Sequence, residues 1–317
     1  MVGATPQSIL DTMKSGGFSP QEAAHEINLA LQSPYYLASE RLTNRLRKRD
    51  WMLANYRKLN RLHPRSSEVE RRHKISRDEF LLEYYSTNRP VIITGMMDEW
   101  PAMRKWGLDY FTERFGEREV EVQTGRNSSP NYEIQSDRFA GRIRFGDFVE
   151  RVRTAGETND FYLTANNDSH NRKALSELWE DIVQIPEYLR EDQPGGFFWM
   201  GPAGTLTPFH HDLTNNFMAQ VIGRKRVKIA PSWDLPLMNN LHHCFSQVDG
   251  RDLPAAPNPA LSQPQILDCI LHPGEILFLP IGCLHFVQGL DITVTVSFTN
   301  FVFDNDFHSY YTNYGPV

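Results

Sequence analysis

Two histidines and an aspartate are spaced in a way that suits a metal centre. His210 and Asp212 stand two residues apart, and His285 follows the aspartate by 73 residues. Two imidazoles and one carboxylate form the ligand set that holds Fe(II) on one face and leaves its other coordination positions open. Because open positions allow chemistry at the metal, this triad predicts a reactive centre rather than a structural one.

The sequence around these residues has the pattern of β-strands. Side chains at i and i+2 of an extended strand point to the same face, so His210 and Asp212 are expected to project into one cavity. Three further runs are predicted to be strands: 217–222, 227–230 and 275–279. Pro280 and Gly282 end the last run, so His285 is expected on an exposed loop that a barrel-like sheet brings beside the first pair.

The pattern leaves other metal ligands open. The chain contains 11 histidines, so a His-x-Asp pair followed by a later histidine also arises by chance in surface turns. His211, His242 and His243 are the alternative ligands. His211 is predicted to lie on the opposite strand face and the other two in an irregular stretch, which makes all three weaker candidates.

Five blocks of sequence, taken together, resemble the JmjC-type (cupin-8) oxygenases. They occur in this order: 88–95 with 99–102, 161–164, 207–216, 220–226, and 273–285 with 292–296. The likeness spans about residues 78–301, and within the family it is greatest to the asparaginyl hydroxylase that acts on hypoxia-inducible factor. It implies a mainly β fold, a double-stranded β-helix (jelly roll, cupin-like) with a polar mouth.

The same resemblance implies Fe(II) as the metal, with 2-oxoglutarate and O2 as cosubstrates. It assigns the metal to His210, Asp212 and His285, and 2-oxoglutarate to Lys225, Thr207, Tyr162, Asn216 and Ser297. Lys225 would pair with the carboxylate far from the metal, Thr207 and Tyr162 would donate hydrogen bonds to it, and Asn216 would lie near the chelating end. Ser297 stands where the family hydroxylase has an asparagine, so a local difference is expected there. No catalytic side chain beyond the metal ligands is expected.

The strand pattern supports Lys225 independently. Lys225 shares strand parity with the apolar Val227 and Ile229, whereas Arg226 and Lys228 share the other face. An unpaired charge on an apolar face is costly, so a lysine there needs an anionic partner, and a dicarboxylate is such a partner. The alternative is a lysine at a strand end that extends into water.

The function expected from the resemblance is Fe(II)- and 2-oxoglutarate-dependent hydroxylation of an amino-acid side chain in a peptide or protein. One alternative is hydroxylation of a small molecule, such as a free amino acid or a natural-product intermediate, or of a tRNA base. N-methyl-lysine demethylation ranks lower, because the most similar pattern is that of a hydroxylase. A cupin that binds metal without turnover is the non-enzyme alternative.

Three regions are predicted along the chain. Residues 1–65 form a helical N-terminal region, residues 66–303 the JmjC/cupin-like catalytic domain, and residues 304–317 an aromatic tail that closes over the barrel end or a partner subunit. Ser19 followed by proline predicts a helix start that continues to about residue 31, and a longer helix is predicted over 37–62.

Charge and cysteine content limit the partners and the compartment. The net charge is −6, yet residues 41–77 carry thirteen Lys/Arg against three acidic residues, a segment charge of +10. This basic segment is expected to pack on the acidic remainder, to form a homodimer or to dock an acidic substrate; nucleic acid is not favoured as a partner. Three cysteines without metal or redox spacing and the absence of a long apolar run predict a cytoplasmic protein without a membrane segment. Cys283 is expected to be a small buried residue.

Overall fold

The computed structural model of the chain describes residues 5–165, 170–191 and 196–311. These residues fall into two compact units that divide between Lys58 and Leu59. The predicted domain borders, 1–65, 66–303 and 304–317, stay predictions. Among the described helices, none is both long and apolar enough to cross a bilayer.

Three helices open the chain: α1 (Pro6–Ser15), α2 (Pro20–Gln32) and α3 (Pro34–Asn60). The predicted start of α2 is confirmed. The Ser19 hydroxyl accepts a hydrogen bond from the Glu22 N–H, and the Glu22 carboxylate accepts one from the Ser19 N–H. This reciprocal capping box satisfies two backbone donors that the helix itself cannot pair. The predicted helix over 37–62 is confirmed as α3, which begins three residues earlier, whereas α1 was not predicted.

The other described helices are short. They are α4 (Arg77–Phe80), α5 (Ala102–Lys105), α6 (Leu108–Phe115), α7 (Ser136–Phe139), α8 (Phe145–Thr154) and α9 (His170–Ala174). A π-helical turn, Leu81–Tyr85, continues directly from α4.

Strands make up most of the second unit. In chain order they are β1 (Glu70–His73), β2 (Val91–Thr94), β3 (Glu119–Thr124), β4 (Ala140–Arg144), β5 (Phe161–Tyr162), β6 (Gly196–Gly201), β7 (Leu206–His210), β8 (Asn216–Ile222), β9 (Lys225–Ala230), β10 (Asn240–His242), β11 (Phe245–Ser246), β12 (Leu267–Leu271), β13 (Glu275–Leu279), β14 (Leu284–Gly289) and β15 (Thr293–Phe298). The three strands predicted from the sequence correspond to β8, β9 and β13 and are confirmed.

Two six-stranded sheets form the barrel. The first has the order β1-β2-β13-β8-β15-β6, and the second has the order β10-β11-β7-β14-β9-β12. All pairings in them are antiparallel except that of β1 with β2. A smaller sheet has the order β4-β3-β5. The predicted class, a mainly β jelly roll preceded by helices, is confirmed.

The first sheet is buried on both faces. Ile276 and Phe278 of β13 belong to a large outer core with the short helices α4, α6 and α8, whereas Leu277 and Leu279 belong to an inner core shared with the second sheet. Successive strand residues point to opposite faces, so burial of both faces requires an uninterrupted apolar run. This explains why β13 reads Glu-Ile-Leu-Phe-Leu without polar alternation.

Two local predictions about the triad were wrong. His285 lies on β14 and not on an exposed loop, because a tight turn in which the Cys283 N–H bonds the Pro280 carbonyl lets the next strand begin at Leu284. Asp212 does not share a strand with His210, because β7 ends at His210 and the chain then reverses to enter β8.

The segment that directly follows β15 packs on the end of the barrel. Phe301 is buried, with its ring centroid 4.7 Å from that of Phe217. The Tyr85 hydroxyl donates a hydrogen bond of 2.9 Å to the Asp304 carbonyl. Tyr314, in the aromatic tail predicted over 304–317, lies outside the described residues, so the closure of that tail over the barrel end or a partner subunit stays a prediction.

Candidate metal centre

His210, Asp212 and His285 come together in space. One potential ligand atom from each lies within 4.8 Å of the others, and no other group of this kind occurs among the described residues. The Asp212 carboxylate is 3.8 Å from His210 Nε2 and 4.0 Å from His285 Nε2. The two histidines are directly opposite each other on β7 and β14, with ring centroids 4.2 Å apart.

Backbone carbonyls orient both imidazoles. His210 Nδ1 lies 2.9 Å from the Pro208 carbonyl oxygen, and His285 Nδ1 lies 3.2 Å from that of Cys283. A carbonyl only accepts, so in the neutral form of each imidazole the proton is on Nδ1 and the lone pair is on Nε2. Both free lone pairs are therefore available to one metal ion.

The electrostatics of the triad favour metal ligation near neutral pH. Burial, followed by the neighbouring His210, lowers the pKa of His285 to about 4, so this imidazole is neutral and able to coordinate. Burial acts to raise the pKa of Asp212, but the His285 and His210 imidazoles and the Asn216 amide outweigh it, so the pKa is lowered and the acid is ionised. Neutral imidazoles and a carboxylate are the forms that bind a divalent metal.

An inner cavity of about 60 Å³ extends from the triad between the two sheets. Lys225 lies in it, 3% exposed, and its Nζ donates a hydrogen bond of 3.1 Å to the Tyr162 hydroxyl. Its parity with Val227 and Ile229 is confirmed, since both are buried in the inner core. No carboxylate pairs with Lys225 among the described residues, and burial lowers its pKa to about 7.

Three other predicted residues line the same cavity. Asn216 donates from Nδ2 to the Asp212 carboxylate at 3.0 Å, while its buried Oδ1 has no partner among the described residues. Ser297 accepts a hydrogen bond of 2.8 Å from the Trp199 indole, and Thr207 projects from β7. The structure thus brings all eight predicted site residues to one place, although their roles stay predictions.

Several cavity residues were not found from the sequence. Trp199, Met218, Val287 and Thr295 also line the inner cavity. Met218 has the strand parity of Asn216, and Thr295 that of Ser297, so period-2 spacing was a usable signal for these two. Trp199 carried no such signal, because β6 reads Gly-Phe-Phe-Trp-Met-Gly and has no polar residue that would mark one face.

A wider mouth of about 900 Å³ opens outside the triad. Glu121, Glu133 and Asp137 line it, and among its described lining residues there is no lysine or arginine. Glu133 accepts a hydrogen bond of 2.7 Å from Nη2 of the fully buried Arg126. The mouth therefore retains an acidic character from the other two carboxylates, which favours a cationic group.

The alternative histidines lie around this mouth but outside the triad. His211 Nδ1 is 3.1 Å from the Asp212 carbonyl oxygen, and burial lowers its pKa. His242 ends the edge strand β10, and His243 has a left-handed backbone with φ of 46°. None of the three belongs to the ligand cluster.

The donor set fits the groups that the family resemblance implied. Two imidazole nitrogens and one carboxylate oxygen suit Fe(II) and leave positions open. Among the described residues, the buried Lys225 ammonium has a neutral hydrogen-bond partner but no anionic one, and the buried Asn216 Oδ1 has no hydrogen-bond donor. A small dicarboxylate held between metal and lysine satisfies the lysine, since buried charges are stable only when paired.

Comparisons with known proteins agree with this geometry. A family model described as a cupin-like domain matches residues 77–309. The lysine-specific demethylase JMJ30 of Arabidopsis thaliana is 36% identical over 242 residues, which cover 73% of this chain and 54% of that protein. Lysine-specific demethylase 8 of Xenopus tropicalis is 30% identical over 245 residues, covering 73% and 52%. The tRNA wybutosine-synthesizing protein 5 of Gallus gallus is 29% identical over 239 residues, covering 70% and 74%. This chain therefore spans about half the length of the two demethylases.

Proposed function

The chain belongs to the cupin-like (JmjC/cupin-8) domain family, and on that premise we propose that it hydroxylates an amino-acid side chain in a peptide or protein. JmjC-domain proteins are oxygenases that use Fe(II), 2-oxoglutarate and O2. The family resemblance of the sequence is confirmed. The closer likeness to an asparaginyl hydroxylase is not, because the relatives named above are demethylases and a tRNA-modification protein.

One observation carries the proposal. The His210–Asp212–His285 cluster opens into a cavity whose far wall holds Lys225, a buried ammonium without an acidic partner among the described residues. A metal alone needs only the triad. The combination of a three-ligand metal cluster and an unpaired cation supports a cosubstrate that bridges the two.

The chain's own residues would bind and orient the reactants. Lys225 would pair with a carboxylate of 2-oxoglutarate, and Tyr162, which accepts from Lys225, keeps its own proton to donate to the same carboxylate. The backbone carbonyls behind His210 and His285 would keep both imidazoles in the ligating tautomer. When bound, Fe(II) and 2-oxoglutarate supply O2-dependent oxidation of a C–H bond, with succinate and CO2 as co-products.

The mouth supports a basic side chain presented on a longer chain. Its volume of about 900 Å³ is at the upper end of small-ligand pockets. Its carboxylates, Glu121 and Asp137 above all, attract a cation and repel the phosphates of a tRNA. We therefore rank a lysine, methyl-lysine or arginine side chain above a nucleobase as the target.

N-methyl-lysine demethylation is the second candidate function. The acidic mouth favours it, and two relatives named above carry the description lysine-specific demethylase. It needs no other active site, because hydroxylation of an N-methyl group gives a product that releases formaldehyde. The two candidates differ only in which carbon lies closest to the metal.

Two experiments test the proposal in sequence. First, anaerobic addition of Fe(II) and 2-oxoglutarate to the full chain should produce a weak visible absorption band, which Asp212→Ala should abolish. Metal binding without this band would support a cupin that binds metal without turnover.

The second experiment incubates the chain with peptides that present asparagine, lysine, arginine or trimethyl-lysine, and with unmodified tRNA. Succinate release should accompany the gain of one oxygen atom by a peptide. Loss of a methyl group with formaldehyde release would identify the demethylase, and turnover of tRNA alone would contradict the proposed substrate class.

A further inference from the structure

Asn305, in the segment after β15, pairs with the backbone of Asn215. Its Oδ1 accepts a hydrogen bond of 2.8 Å from the Asn215 N–H, and its Nδ2 donates one of 3.0 Å to the Asn215 carbonyl. One side-chain amide therefore satisfies both polar backbone groups of a residue that is 1% exposed. Loss of this amide leaves a buried donor and a buried acceptor unpaired.

Asn215 connects the two halves of the triad. Its own Oδ1 accepts a hydrogen bond of 2.7 Å from the Ile281 N–H, in the turn that leads to His285. The next residue, Asn216, donates to the Asp212 carboxylate at 3.0 Å. A shift of Asn215 would therefore move the partner of one metal ligand and the turn that precedes another.

Hydrophobic contacts keep Asn305 in reach of Asn215. Phe301 is buried against Phe217, the residue that follows Asn216 on β8. Asn305 Nδ2 also donates to the Thr299 carbonyl at 2.8 Å, which fixes its side chain at the end of β15. The segment after β15 therefore contacts β8 and its preceding residue on either side of Asn216: Asn305 bonds Asn215, and Phe301 packs on Phe217.

We propose that Asn305 is a positioning residue of the metal site, acting through Asn215 to hold Asp212 and His285 at ligating distance. This inference rests on the proposed function, because it takes the triad to be the metal site. Asn305 itself touches no ligand of the triad. Its effect should therefore appear in metal affinity and ligand geometry rather than in the chemistry of the reaction.

Binding of Co(II) alone to the full chain tests the inference. Asn305→Ala should weaken Co(II) binding by about tenfold or more, as loss of groups that orient metal ligands generally does. It should also shift the visible bands of bound Co(II), which report the arrangement of the ligands. Asn305→Asp keeps the acceptor for the Asn215 N–H and should recover part of the affinity.

Asn300→Ala is the matched control. Asn300 lies in the same segment and donates 2.9 Å to the Arg190 carbonyl, away from Asn215. Its loss should leave Co(II) affinity and spectrum unchanged, even if the unfolding temperature of the metal-free protein falls as in Asn305→Ala.

A Co(II) affinity of Asn305→Ala within about twofold of the wild type would overturn the inference about Asn305. An equal loss of Co(II) affinity in Asn300→Ala would do the same. Neither result would affect the proposed function. If Asn305→Ala does not fold, Asn305→Asp decides by the same titration: unchanged affinity and spectrum overturn the inference, and intermediate affinity supports it. Failure of the wild-type chain to bind Co(II) would instead overturn the proposed function, and this inference with it.

Discussion

Replacement of Lys225 by methionine should stabilise the protein while weakening its use of 2-oxoglutarate. The Lys225 ammonium is buried, and its one described hydrogen bond goes to the neutral Tyr162 hydroxyl. Burial lowers its pKa from 10.5 to about 7. A methionine of similar length removes the charge and suits the apolar side of β9, where Val227 and Ile229 belong to the inner core.

The sign and size of the effect follow from this lowered pKa. The unfolded chain holds the lysine proton more tightly than the folded chain, so the protonated lysine destabilises the fold at low pH. At about 1.4 kcal/mol per pKa unit, the lowering from 10.5 to about 7 corresponds to an upper limit of about 5 kcal/mol. The cost is complete below pH 7 and fades as the pH rises toward 10.5, where both states lose the proton.

Thermal unfolding of the ligand-free protein between pH 7 and 10 is the assay. Lys225→Met should unfold several degrees above the wild type at pH 7, at about 2 °C per kcal/mol for a chain of this size, and the gap should close by about pH 10. In the oxygenase assay the variant should require a much higher 2-oxoglutarate concentration while Co(II) binding is kept.

Lys228→Met is the matched control on the opposite face of β9. The Lys228 ammonium donates to the Gly250 and Leu253 carbonyls at 2.6 and 2.7 Å, so its loss should destabilise the protein. The reasoning would be refuted if Lys225→Met unfolded below the wild type at pH 7. A gap that stayed constant from pH 7 to 10 would refute it equally.

Three other predictions concern the triad, the thiols and Phe301. Asp212→Ala should abolish Co(II) binding and succinate formation, since it removes the ionised ligand; a variant that still forms succinate would contradict the metal assignment. Burial raises the pKa of Cys244, Cys269 and Cys283 to about 12 each, so a thiol reagent at pH 8 should label them only after denaturation. Fast labelling of the native chain would show that these sites open. Phe301→Ala should destabilise the protein by about 3 kcal/mol, because a fully packed ring is lost; a midpoint in urea equal to that of the wild type would show that this ring does not contribute to the stability of the fold.

Patterns along single strands were predictable from the sequence. The parity of Lys225 with Val227 and Ile229 placed it on the inner face of β9, where the structure has it. The apolar content and length of three runs located β8, β9 and β13. These features depend on residues within one element, so side-chain parity and short apolar runs are enough to read them.

Features set by contacts between distant segments were not predictable. The end of β7 at His210 depends on the reversal into β8 and on the pairing of His210 with Phe245 across the sheet. The burial of His285 depends on how tightly the preceding turn closes. The bond from Asn305 to Asn215 joins residues 90 positions apart, and neither residue has a pattern that indicates the other.

Because His210 and His285 pair directly across β7 and β14, binding of a divalent metal ion reports whether these two strands have paired in the correct register. A chain that closed this sheet with β14 slipped by one residue would turn the His285 imidazole to the opposite face. Such a misassembled molecule would keep its secondary structure but lose one of the three coordinating groups. The fraction of a preparation that takes up a divalent ion therefore measures how much of it has joined these two strands correctly.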